Sequence, residues 1–119
     1  MLETSPSLTH TPVDSGPLVQ AFLTGAQLGL SAPGTSQIIL AGGYPKLAIG
    51  ATSSTTGSIS VQRYIDAAGT IPQGAALTQS LTAAAPGVLN VSDGLAFQSF
   101  TVTIAGGTLT NVGCLFSSR

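Results

Sequence analysis

The chain reads as an all-β protein: a single compact β-sandwich or jelly-roll-like domain of about eight short antiparallel strands, with an extended N-terminal arm. Three observations predict this. Short apolar or alternating runs recur from Leu18 onward, cut apart by Gly, Pro, Ser and Asp. Several of them alternate with the period of two that belongs to a strand with one buried face. The 15 Thr and 14 Ser supply outward positions, since a branched threonine fits the pleat while its hydroxyl faces water. With 14 Leu, 7 Ile, 7 Val and 4 Phe in 119 residues, there is enough apolar material for one core.

Residues 1–17, MLETSPSLTHTPVDSGP, hold three prolines and no hydrophobic period, and are expected to form an extended or disordered arm ahead of a domain at 18–119. The expected strands are 18–23, 37–41, 47–51, 58–66, 77–83, 88–91, 97–105 and 108–116. Gly42-Gly43, Ala32-Pro33-Gly34, Ile71-Pro72-Gln73-Gly74, Ala85-Pro86-Gly87 and Ser92-Asp93-Gly94 are turn signals between them. GAALTQSLTAAA at 74–85 also has the composition of a short helix, the one helical alternative to strand. At the C-terminal end, Gly106-Gly107 between two alternating runs predicts a tight hairpin with Ala105 opposite Thr108. In that register Phe100, Val102, Ile104 and Leu109 share the inner face. Thr101, Thr103, Thr108 and Thr110 share the outer one, together with Phe97 opposite Phe116.

Charge is scarce. Three basic residues (Lys46, Arg63, Arg119) and four acidic ones (Glu3, Asp14, Asp66, Asp93) leave a net charge of −1, too little positive charge to neutralise phosphates, so no nucleic-acid partner is expected. No apolar run reaches the roughly 20 residues of a membrane-spanning helix, and no membrane partner is expected. The opening Met1-Leu2-Glu3-Thr4 lacks a basic then apolar leader, which predicts synthesis in a cytoplasm. A small, neutral surface offers little repulsion between copies and suits close-packed assembly.

Catalytic groups are nearly exhausted before any constellation forms. His10 is the one histidine and lies in the arm; Cys114 is the one cysteine and sits in an apolar run as a small hydrophobe; Asp93 belongs to a turn. Gly25 and Gly29 in GAQLG lack the remaining glycine and the Lys-Ser/Thr of a phosphate loop, and Asn90-Val91-Ser92 matches a glycosylation sequon of a kind common by chance. No catalytic, cofactor or metal site is expected, and the chain is read as not an enzyme. Arg63 shares its face with Ile59, Val61 and Ile65, and so should either sit at a strand end or pair with an acid, Asp66, Asp93 or Glu3. Phe97 and Phe116 on an otherwise polar face call either for a bulge that shifts the register or for cover by another subunit, and Tyr44 in GGYPK is the one aromatic that looks loop-exposed. These four, Arg63, Phe97, Phe116 and Tyr44, are the expected oligomer or partner interface.

The stretch Ser58–Ile104, with its RYIDAAGT segment, its Pro/Gly turns and the strand SDGLAFQSFTVTI, resembles small virion proteins of tailed bacteriophages. The resemblance implies a capsid decoration or cement protein on the capsid surface of the virion. Its partner would be the major capsid protein, which it would hold together across neighbouring subunits, and it would itself be a homo-oligomer, with a trimer favoured. It carries no site motif. The alternative is a tail- or fibre-associated β-sandwich module that binds host surface glycan.

Overall fold

The computed structural model describes residues 8–10, 19–42 and 44–117. Ten strands and one short helix follow in order: β1 Leu8–His10, β2 Val19–Thr24, α1 Gly25–Leu28, β3 Gly34–Thr35, β4 Ile39–Leu40, β5 Lys46–Ser53, β6 Gly57–Tyr64, β7 Leu77–Leu81, β8 Pro86–Val91, β9 Ser99–Ala105 and β10 Leu109–Ser117. They form two antiparallel sheets, β1-β2-β10-β5-β8 and β3-β9-β6-β7, with β4 also on β9. The all-β sandwich expected from the sequence is what forms, and each of the eight expected runs contains a strand.

The two sheets are one ribbon folded over. Residues 46–64 pair with 77–91 in one register throughout: Val61 opposite Leu77 and Gly57 opposite Leu81 in one sheet, then Thr52 opposite Pro86 and Leu47 opposite Val91 in the other. Residues 99–117 run along the other side of 46–64 in the same manner, from Tyr64 opposite Ser99 to Lys46 opposite Ser117. A bulge at Asn111–Val112 shifts that register on β10, with Asn111 at a φ of 53°, a left-handed conformation that asparagine tolerates. The outermost long strand, 19–40, lies on 99–117 and breaks at the fold line into α1 and an irregular stretch.

The fold line is held by serines. The buried Ser53 hydroxyl accepts from the Gly107 amide at 2.9 Å and the Thr55 amide at 3.3 Å, while its carbonyl accepts from the Ala84 amide at 2.7 Å. One residue thereby fastens three of the four crossings, all but that of the outer strand. Ser54 adds a second fastening, accepting from the Thr108 amide at 2.8 Å and donating its own amide to the Thr108 carbonyl at 2.9 Å. The approach is so close that a Cβ on Gly57 would run into the Ala105 carbonyl, and one on Gly106 into the Ser53 hydroxyl.

This corrects the expected C-terminal hairpin. β9 and β10 do not pair; Gly106-Gly107 carries the chain from one sheet to the other, so Phe97 and Phe116 are not cross-strand neighbours. Up to the bulge the inner and outer assignments hold: Phe100, Val102, Ile104 and Leu109 are buried, and Thr103, Thr108 and Thr110 are exposed; beyond it the parity of β10 reverses, and Phe116, expected outward, is buried. Alternation fixes the face of a residue whatever strand lies beside it. The 74–85 stretch is strand and turn, as the first of its two readings had it. Helix α1 was not anticipated, although Thr24 and Gln27 make a reciprocal capping box and Gly29 closes the helix in the left-handed conformation. Its Leu28, with Leu30 just beyond, is fully buried and fills the corner where the outer strand breaks. Within the expected arm, Leu8–His10 pairs with β2 as an edge strand. The rest of residues 1–17, including Glu3 and Asp14, lies outside the described residues, as does Gly43 of the expected Gly42-Gly43 turn.

Candidate interaction surface

Opposite the fold line, the strands end in three loops, 41–45, 65–76 and 92–98, and all four side chains singled out from the sequence gather there. Arg63 continues the inward row of Ile59 and Val61 to the end of β6, where it is 3% exposed. Its two terminal nitrogens donate to the two carboxylate oxygens of Asp93 at 2.6 and 2.8 Å, a parallel pair of charge-assisted bonds, and its guanidinium lies 5.6 Å from the Phe97 ring centre. Of the three acids considered as its partner, Asp93 is the one. The Arg63 bonds, followed by an amide bond from Leu95 at 3.2 Å, hold the Asp93 carboxyl below the usual carboxylate range.

Phe116, 4% exposed, packs between Phe100 and Tyr44 with ring centres 5.7 Å from each. Of the two readings of its outward position, the bulge is the one that holds: the shift at Asn111–Val112 turns Phe116 inward, and the chain itself covers it. Tyr44 is half-buried rather than free on its loop, and burial pushes its hydroxyl pKa up. Phe97 is also half-buried, edge-on to Phe100. Arg63 and Phe116 therefore support the surface from below, while Tyr44 and Phe97 reach it.

The loops are cross-tied. The Gln73 side chain donates to the Ala96 carbonyl at 2.8 Å and its amide to the Arg63 carbonyl at 2.8 Å; Gln98 donates to the Tyr64 carbonyl at 2.9 Å, and Ala41 to the Gln98 carbonyl at 2.8 Å. Asp66 organises its own loop, accepting from the Thr70 hydroxyl and from the Thr70 and Ile71 amides, bonds that lower its pKa, with the Thr70 hydroxyl as the largest cause. Backbone groups that would otherwise face water are satisfied within the platform, which restricts its motion.

Seven large apolar side chains stand exposed among the described residues, and five are here: Ile38, Leu40, Ile65, Ile71 and Leu95, with Leu40 the most exposed at 63%. Between them lie hollows. One of about 120 Å³ is walled by Leu23, Leu40, Tyr44 and Phe116; two larger ones, of about 290 and 400 Å³, share Phe97 as a wall. Each of the five exposes between 40% and 63% of its surface, a gathering of large apolar side chains at one end that calls for a partner. The sequence reasoning missed all five, and it placed Ile65 on the inner face with Ile59 and Val61, whereas β6 ends at Tyr64 and Ile65 stands 44% exposed in the loop beyond. Their signal was position: large aliphatics beside Gly and Pro turn residues, where strands end.

Cys114 is fully buried between the sheets, and burial raises its thiol pKa to about 12, so it packs as a small hydrophobe. Among the described residues no three His, Cys, Asp or Glu come together as metal ligands. No helix is long and apolar enough to cross a membrane. Comparisons with protein-family models, curated proteins and solved structures find no match.

Proposed function

We propose that this chain is a non-enzymatic structural protein of an assembled particle, a capsid decoration protein that docks by its loop end across neighbouring subunits of a virion shell. The observation that carries this reading is a braced platform at one end of the sandwich that exposes aliphatic side chains beside hollows of side-chain size. The two acids there are spoken for: Asp93 by Arg63 and Asp66 by its own loop. Apolar projections and recesses on a preorganised surface favour protein docking, because little conformational entropy is lost on binding. Symmetric repetition over a shell turns a modest interface into high avidity. The resemblance of residues 58–104 to small phage virion proteins adds the kind of assembly. Glycan binding is less well supported, since one face of Tyr44 is committed to Phe116.

The test is cosedimentation with shells assembled from the major capsid protein of the same virus. The wild-type chain pellets with the shells, and Leu40→Asp with Leu95→Asp leaves it in the supernatant. Equal pelleting of wild type and double variant, or no pelleting of either, overturns the reading. Retention on a glycan array, lost in Tyr44→Ala, would install the alternative.

A further inference from the structure

A second surface, separate from the loop end, lies along one side of the molecule. The strand 77–91 is the outermost strand of both sheets, as β7 in one and β8 in the other. The opposite side is closed off. There β1 lies along β2, and in the second sheet the edge is broken into β3 and β4. Ser36, between them, exchanges bonds with the Val102 backbone, its amide donating at 2.7 Å and its hydroxyl accepting at 2.9 Å.

Sheet edges are ordinarily guarded by a lysine, an inward charge, a bulge or a proline. No residue from Leu77 to Val91 is charged. β8 pairs with β5 without a slip along its whole length, so no bulge turns it away, and its proline stands at the first position, leaving 87–91 unguarded. Their outward backbone groups form a template for another strand.

We infer that this edge takes a second copy of the same chain, with two β8 strands pairing antiparallel about a two-fold axis and joining two five-stranded sheets into one of ten. The alternation of faces restricts the register. Leu89 and Val91 are buried between the sheets, while Pro86, Val88 and Asn90 point outward. Directly opposed residues of an antiparallel pair share a face, so Val88 must meet an outward residue of the second copy, Pro86, Val88 or Asn90. The Val88–Val88 register covers a side chain that is 50% exposed and sets Asn90 against Pro86. Charge favours an identical partner. The nearest ionised group along the strand is Asp93; in this register the two copies of it stand at opposite ends of the pair, about 33 Å apart at the rise of an extended strand, so nothing repels the approach.

Sedimentation equilibrium of the full chain from micromolar to millimolar concentration tests this, with amide hydrogen exchange at both extremes. The mass should rise from 11.8 kDa to twice that value, with exchange at 87–91 slowing as it does. Val88→Lys sets two ammonium groups face to face and should weaken the dimer at least tenfold, while the dilute monomer melts at the wild-type temperature. Leu40→Asp should leave the dimer intact, which separates this surface from the loop end. A mass of 11.8 kDa at every concentration overturns the inference, as does a dimer whose protected amides lie elsewhere. The exchange result on the wild-type chain decides the matter even where Val88→Lys fails to fold.

Discussion

The two ends of the sandwich are built from different materials for different ends. At the fold line three of the four crossings are tight, small-residue segments, and hydrogen bonds to Ser53 and Ser54 tie segments far apart in sequence. At the loop end the segments are longer, braced by Gln73, Asp66 and the Arg63–Asp93 pair, and large aliphatics are left outside. One end has no room for a side chain; the other displays side chains it does not need for its own core. Stability should therefore be concentrated at the first end and recognition at the second.

Substitutions can break that division, and the largest effect should come from the fold line. Gly57→Ala drives a methyl group into the Ala105 carbonyl, a backbone atom that cannot turn aside; it should cost about 3 kcal/mol or more in a urea melt. A loss below about 1 kcal/mol would mean that the corner yields easily and is not where the fold is fixed.

Next comes the ion pair, where the two partners should be unequal. Asp93→Ala leaves a guanidinium buried to 97% of its surface without a counter-charge, and should cost about 3 kcal/mol. Arg63→Met leaves an aspartate whose side chain is already 42% exposed and can take water instead; it should cost about 1 kcal/mol. Equal losses in parallel melts would show that Arg63 reaches solvent when its partner is gone.

Smaller again is the acid response. The folded Asp93 carboxyl lies below its ordinary range, so the unfolded chain takes up a proton at higher pH than the folded one. The pair's contribution should be whole above about pH 5 and fade as pH falls through the ordinary aspartate value near 4 toward the lower folded value. Melts from pH 7 to pH 2.5 should show this fade in the wild type and a shallower one in Asp93→Ala. Smallest of all, Leu40→Asp and Leu95→Asp should move the denaturation midpoint by the equivalent of less than about 0.5 kcal/mol while abolishing shell binding. A large stability loss in either would make the loop end part of the core.

Much of this could be read from the residues alone, and the parts that could not share a cause. Strand positions and inward faces were legible because alternation is local: Ile59, Val61 and Arg63 fall inward by parity whatever lies beside them. The Arg63 partner was legible through scarcity, with only four side-chain carboxylates to choose from. Strand partners were not, because Gly106-Gly107 suits a hairpin and a sheet crossing equally well, and the choice is made by Ser53 and Ser54, 54 residues earlier. The packing of Tyr44 on Phe116 and the exposure of Leu40 were hidden likewise, since an aliphatic in a sequence looks the same inside a core and on its rim.

The order of strands in the folded ribbon also sets a timetable for synthesis. Residues 46–64 and 77–91 are neighbours in sequence and in space, so they can zip together as soon as both have left the ribosome. The first long strand, 19–40, borders 99–117 on one side and only the short β1 on the other. It is made before its main partner and must wait until residues 99–117 emerge, an uncharged, β-prone segment exposed to chaperones in the meantime.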